Sequence, residues 1–392
     1  MHATAFAPIA FLREHAVLAV SVVAAVASMV AVPPDGAYLG YFDWKTLGCL
    51  FCVLAVASAL RLMGAFDRAA RTVIARFGSP RSLALALVLT TAALSCVATN
   101  DMALIMMLPL SAATLVGAGQ ARLIPAVFVL QSLAANLCGM IVPFGNPQNL
   151  YLYSYYGLRL GDFLRTMALP FAASAIGIIV ATWWLAGLTS RKNAAALAPA
   201  ATVPLMPLSR RRLGVYGALL ALTLLAVFRV LPIALAVAAV AATLAVLDRR
   251  ALAAVDWSLL ATFACFFVFA GNLARIPELA AILGPLMDDH GLLVSAGASQ
   301  IISNVPAAVL LSHFTGAWQP LLVGVNIGGA GTLVGSLASL ITLQHFTSVR
   351  KVFPATRDLP ALSTGRFIGL FSAVNMIFLA GLLLICTITF PW

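Results

Sequence analysis

The sequence predicts an all-α polytopic membrane protein: two inverted repeats with about nine transmembrane helices, two re-entrant hairpins and two broken helices. Three observations predict it. The 392-residue chain is 62% hydrophobic and only 9% charged, against a charged share of roughly 25% in soluble domains. Its apolar runs are long enough to span a bilayer and lack the two-residue alternation of a barrel. Two distant stretches also carry the same order of polar interruptions within apolar sequence. In lipid, non-helical backbone persists only where protein or a water-lined cavity satisfies it.

The first stretch reads Ser95-Cys96-Val97-Ala98-Thr99-Asn100-Asp101, then Asn136-Leu137-Cys138-Gly139, then Gly145-Asn146-Pro147-Gln148-Asn149. The second reads Ser299-Gln300-Ile301-Ile302-Ser303-Asn304-Val305-Pro306, then Asn326-Ile327-Gly328-Gly329, then Gly335-Ser336-Leu337-Ala338-Ser339. Paired breaks in corresponding halves point to a transporter binding site near the bilayer midplane.

The first repeat is expected over 1–188. Helices at 15–33 and 44–63 come first, the second opening at Asp43-Trp44. Residues 64–81 carry Arg68, Arg71, Arg76 and Arg81 among helically spaced apolar residues, the pattern of a helix lying in the interface. A hairpin over 83–118 turns at Thr99-Asn100-Asp101, a helix over 123–155 breaks between Gly139 and Asn149, and a helix at 166–188 follows. A cytoplasmic linker and connecting helix are expected over 189–231; the polar part, 189–212, ends in Arg210-Arg211-Arg212.

The second repeat is expected over 232–392. Its helix at 257–272 opens at Asp256-Trp257, echoing Asp43-Trp44, and a short connection ends at Asp288-Asp289-His290. A hairpin over 292–316 turns at Ser303-Asn304, and a helix over 320–346 breaks between Gly328 and Ser339. A basic segment, 350–366, precedes the closing helix at 367–390. A helix rises about 1.5 Å per residue against a hydrocarbon core of about 30 Å. The arms around Ser303-Asn304 are too short to cross it, so a re-entrant hairpin is expected there. The arms around Thr99-Asn100-Asp101 could almost span, and there the repeat carries the assignment.

The net charge of +11 lies between apolar segments, as topology signals do, and not in a patch for nucleic acid. A cytoplasmic N-terminus puts Arg13, Arg68, Arg71, Arg76, Arg81, Arg122, Arg191, Lys192, Arg210 to Arg212, Arg249, Arg250, Arg350, Lys351, Arg357 and Arg366 inside. Lys45, Arg159, Arg165, Arg229 and Arg275 stay outside, as does the C-terminus. The plasma (inner) membrane is the expected location. Residues 15–33 lack a small-residue cleavage site, so no removable signal peptide is read there. The six cysteines all fall in apolar segments and imply no disulfide framework.

Of the carboxylates, only Asp101 lies in the middle of an apolar stretch. An ionisable group in lipid is costly and functional by default. With no cationic partner evident, Asp101 must be protonated, hold a cation or meet water, and each outcome couples ion flow to substrate movement. Capping the following helix is its structural alternative. Asn100 and Asn304 carry donors and acceptors at the two tips, with the hydroxyls of Thr99 and Ser303 beside them. The helix after each tip aims its positive end at the site, which suits an anion. Gly145 and Gly335 let backbone approach closely, and nearby carbonyls suit a hard cation. Sodium is therefore expected at Asn100, Asp101 and Gly145, and at Asn304 and Gly335. Asn136, Asn146, Asn149, Asn326 and Ser336 complete the candidate binding set. The coupling ion is H+ or Na+, and no cofactor is expected. No HExxH, GxSxG or phosphate loop is present, which argues against an enzyme.

At these motifs the chain resembles the ion transporter superfamily, which holds divalent-anion/sodium symporters, arsenite-efflux permeases and some sodium/proton antiporters. Thr99-Asn100-Asp101-Met102-Ala103-Leu104-Ile105 is similar to the hairpin tip of the arsenite-permease-like branch. Ile141-Val142-Pro143-Phe144-Gly145-Asn146-Pro147-Gln148-Asn149 looks like its first broken-helix signature. The resemblance implies a scaffold and a mobile transport domain, commonly in a homodimer, with elevator-type motion. The sodium-coupled symporters have Ser-Asn-Thr at each tip; Thr99-Asn100-Asp101 and Ser303-Asn304-Val305 lack the third hydroxyl. Asp101 turns the reading toward proton coupling or one cation site. The expectation is a secondary transporter of a small anion, oxyanion or metalloid acid. Sodium/proton antiport is the nearest alternative; a passive channel and a non-transporting membrane scaffold are others.

Overall fold

The computed structural model describes residues 16–189, 208–352 and 363–390. Most of the expected 189–212 linker and of the basic 350–366 segment lies outside them, as do Arg13, Arg191, Lys192 and Arg357. The regular elements of the described residues are all helices, with no strand among them. Eight of the helices are long and apolar enough to cross a membrane, and two shorter apolar helices accompany them. The chain is an integral, all-α, polytopic membrane protein.

Helices α1 (Ala16–Ala31) and α2 (Trp44–Leu62) open the described chain. Asp43 caps α2 through Oδ1, which accepts from the Lys45 and Thr46 amides at 3.1 and 3.0 Å. The echo holds at α12 (Trp257–Ala274), where Asp256 Oδ1 accepts from Leu259 N at 2.9 Å. A carboxylate there satisfies amides that the first turn leaves unpaired. Between them, α3 (Ala65–Ile74) is amphipathic, burying Phe66, Ala70 and Ile74 while Arg68 stays exposed. Helices α4 (Pro80–Ala98) and α5 (Asn100–Gly117) form the first hairpin. Ser79 and Ser82 make a reciprocal capping box at its entry, with Pro80 in the first turn, where no amide is needed.

The first broken helix is α6 (Ile124–Gly139) and α7 (Pro147–Tyr155). Every residue of α6 except Pro125 is buried. Burial on every side makes it the core of the molecule, packed against α4, α5 and α8 (Leu160–Thr189). Helices α9 (Arg210–Val227), α10 (Ile233–Leu247) and the short α11 (Arg249–Ala253) pack on α2. α1 packs on α12, where Asn272 Nδ2 donates to Ser28 Oγ at 2.9 Å. The second hairpin is α13 (Pro277–Ile302) and α14 (Asn304–Leu311). The second broken helix is α15 (Trp318–Ile327) and α16 (Leu337–Val352), and α17 (Thr364–Thr389) closes the fold.

Several boundaries differ from expectation: the helix expected at 166–188 begins at Leu160, and the one expected over 64–81 ends at Ile74. The connection ending at Asp288-Asp289-His290 is helical: α13 starts at Pro277 and bends at His290, where φ is −136° and ψ 30°. A proline in the first turn starts a helix readily, because it has no amide to satisfy there. The second hairpin ends at Leu311 and not at 316. The Tyr156 hydroxyl faces the carbonyls of Ser312 and Thr315 at 3.2 and 2.8 Å and so fastens the turn. The arginine triplet expected in the linker forms the first turn of α9, with Ser209 Oγ accepting from Arg212 N at 3.4 Å.

Candidate functional site

The two tips share one unusual backbone. Thr99 has φ 70° and ψ 154°, and Ser303 has φ 74° and ψ 154°. That region belongs almost wholly to glycine and costs about 1–3 kcal/mol per residue. Each strained residue turns the chain straight into the next helix. The first amide of that helix then donates to a glycine carbonyl in the matching break: Asn100 N to Gly145 O at 3.2 Å, and Asn304 N to Gly335 O at 3.0 Å. A Cβ on Gly145 would lie 2.1 Å from Gly139 O; one on Gly335 would lie 3.0 Å from Gly328 O. Glycine is required at 145, and at 335 an added carbon would be tight against backbone.

The tip asparagines also match. Asn100 Oδ1 accepts from Asp101 N and Asn304 Oδ1 from Val305 N, both at 2.9 Å. Asn100 Nδ2 donates to Asn136 Oδ1 at 3.0 Å. Asn136 then crosses to the other half, donating to Ser336 Oγ at 2.8 Å and to Gly329 O at 3.4 Å. Its counterpart Asn326 crosses back: Nδ2 reaches Asn149 Oδ1 at 2.5 Å, and Oδ1 accepts from Gln148 Nε2 at 3.2 Å and Asn146 Nδ2 at 3.4 Å. Ser336 and Ser339 hydroxyls meet at 2.9 Å. The fold thus joins Asn100, Asn136, Asn146, Asn149, Asn326 and Ser336 in one buried network. Gly145, Asn304 and Gly335 attach to it through backbone contacts, and Thr99 and Ser303 support it from the tips.

Asp101 stands beside this network rather than in it. Its Oδ1 is buried and has no hydrogen-bond partner. Asn146 Oδ1 and Gln148 Oε1 are buried and unpartnered too. Buried acceptors are nearly always satisfied, so these oxygens are open to a cation or a ligand donor. Among the described residues no three His, Cys, Asp or Glu side chains cluster. A cation here would rest on the Asp101 carboxylate together with amide oxygens, donors that suit a hard ion.

Gln300 is the site residue that motif reading passed over. Its Nε2 donates to Ala296 O, Gly328 O and Ala330 O at 3.0, 2.7 and 3.2 Å, and its Oε1 accepts from Thr332 N at 2.8 Å. In the first half Cys96 holds the matching place, with Sγ near Ala92 O and Cys138 O at 3.4 and 3.5 Å. A long amide in an apolar run, opposite a cysteine in the sister copy, was the available signal.

Two hairpins with matching tips, two broken helices and a buried amide network at their meeting point are the architecture of a membrane transporter, and the comparisons with known proteins agree. The citrate transporter family model matches residues 8–321, and the chain belongs to that family, within the superfamily its motifs resemble. It is 33% identical over 307 residues to the inner membrane protein YbiR of Escherichia coli K12, covering 77% of this chain and 80% of that one. It is 30% identical over 314 residues to an uncharacterized transporter of Methanocaldococcus jannaschii, covering 77% and 81%. A membrane protein of Mycobacterium leprae is 26% identical over 345 residues, covering 77% and 78%.

Proposed function

We propose that this chain is a secondary active transporter of a small anion, oxyanion or neutral metalloid acid, coupled to protons or sodium through an elevator-type movement. The observation that carries the reading is the twin architecture of the tips. The N-termini of α5, α7, α14 and α16 gather at a neutral network of amides and hydroxyls. Helix N-termini favour an anion without a buried arginine, and neutral partners let it leave again. The family's description as citrate transporters is a reason to include carboxylates among the anions to test.

Two inverted repeats, 1–188 and 232–392, joined through 189–231, form the functional unit in this reading. The N-terminus is cytoplasmic, the C-terminus is outside, and the working form is a homodimer. Asp101 carries the coupling ion; its buried oxygen without a partner supports that role. Sodium, where it is the coupling ion, takes Asn100, Asp101 and Gly145 in one half, and Asn304 and Gly335 in the other.

The test is uptake into proteoliposomes of citrate, succinate, sulfate and arsenite, under imposed sodium and proton gradients. Saturable, gradient-driven uptake of one anion is the expected result. Asp101→Asn is expected to keep anion exchange and lose the response to the ion gradient. Unchanged ion dependence in that variant removes Asp101 from coupling. Sodium-driven proton movement with no anion flux identifies an antiporter instead.

A further inference from the structure

A polar cavity lies away from the central network, between α3, the end of α2 and the outer face of α5. It encloses about 370 Å³ and is lined by Arg61, Asp67, Arg71 and, on α5, by Ile105, Met106, Pro109, Leu110 and Ala113. That volume is within the range of small-molecule sites. One wall is basic and the other apolar.

The two arginines are underused by the protein. The Nε atoms of both are buried and have no hydrogen-bond partner. Asp67 precedes Arg71 by four residues on α3, yet among the described residues no ion pair joins it to either arginine. The cavity keeps one net positive charge. Two guanidinium groups with unspent donors are suited to paired hydrogen bonds to a carboxylate or phosphate. The α5 wall offers methyl and methylene surface to the rest of the ligand. Asp101 lies one turn before Ile105, on the same face of α5.

We propose that this cavity binds a carboxylate- or phosphate-headed anion with an apolar body, its head held by Arg61 and Arg71 and its body against α5. The site does not depend on which solute the central network carries. Its ligand comes either from solution or from the headgroup of an anionic lipid, since α3 is an amphipathic helix with arginines on it. Both sources present the same chemistry to the arginines.

The test uses the full chain with Ala113→Cys, in phosphatidylcholine nanodiscs, followed by maleimide labelling with peptide-resolved mass spectrometry. One arm adds hexanoate or hexyl phosphate against chloride at equal ionic strength. The other replaces part of the phosphatidylcholine with phosphatidylglycerol. Slower labelling at the cysteine in either arm is expected and identifies the source. Arg61→Gln with Arg71→Gln is expected to weaken that protection roughly tenfold, as for the loss of charge-assisted hydrogen bonds. Asp67→Asn, which raises the cavity's positive charge, is expected to strengthen it and guards against misfolding of the double variant. Absence of protection in both arms, or equal protection in the glutamine variant, overturns the proposal. Protection in a chain that shows no gradient-driven uptake counts against the transport reading alone.

Discussion

Gly145 shows how little freedom the breaks leave at single positions. Its amide and carbonyl are both engaged, to Val142 O and from Asn100 N. Its missing Cβ leaves room for the Gly139 carbonyl, which would otherwise lie 2.1 Å away. Because the overlap is with backbone, a side-chain rotation cannot relieve it. Gly145→Ala is expected to cost about 3 kcal/mol or more, the upper range for overpacking, and to abolish transport. Thermal unfolding in detergent reads the first effect, and proteoliposome uptake the second. Gly297→Ala is the control: it lies in α13 with nothing within 4 Å of the added carbon, and helix propensity favours alanine there by up to about 1 kcal/mol. Equal behaviour of the two variants would show that the break can move aside. The strain at Thr99 and Ser303 belongs to the same scale, since both tips hold a conformation their side chains disfavour.

At the scale of elements, the two broken helices are alike in path and unlike in support. Asn149 Nδ2 holds the first through Met140 O at 3.1 Å, while a thiol is the only side chain that the preceding hairpin arm brings to Cys138 O. In the second, one glutamine spans four backbone groups between Ala296 and Thr332. Gln300→Ala leaves the Gly328 and Ala330 carbonyls and the Thr332 amide without that partner. The expected cost is about 1–3 kcal/mol, the penalty of orphaned buried groups. Hydrogen exchange is expected to quicken across 328–336 while 139–146 keeps its rate. Equal change in both breaks would mean that the halves are energetically one unit. Gln300→Cys, which copies the first half, is expected to fall between the variant and the native chain.

Across the whole molecule, distant segments are tied outside the spans as well as inside. Arg275, at the end of α12, donates to Asp35 Oδ2 at 2.8 Å and to Tyr41 Oη at 3.0 Å, joining the loop before α2 to the second half. The Arg275 hydrogen bond holds the Asp35 carboxyl below the usual carboxylate range. A depressed aspartate stabilises the fold above its unfolded pKa, and the gain is lost as pH falls through the folded value. Both groups are exposed, so the effect is small and screened by salt. Asp35→Asn is expected to lower the unfolding midpoint slightly at neutral pH. That difference should vanish below the aspartate range and shrink in high salt. A difference that persists in acid would assign Asp35 a purely structural role as the cap of the turn at Ala37.

Much of this was legible in the residues themselves. Composition alone excludes a soluble fold, because a chain with so few charges cannot cover its apolar surface in water. The echo of Asp43-Trp44 in Asp256-Trp257, and of Asn136 to Gly139 in Asn326 to Gly329, marked the helix starts and breaks. These are local consequences of capping and of backbone that cannot remain helical. What sequence spacing could not decide is which polar groups face each other. The crossing of Asn136 to Ser336 and of Asn326 to Asn149 depends on how two distant segments pack. So does the separation of Asp101 from that network, and so does the gathering of Arg61 and Arg71 around a cavity. Chain-local rules set where helices stop; only packing sets which side chains meet, because contacts between residues almost two hundred positions apart have no local physical cause.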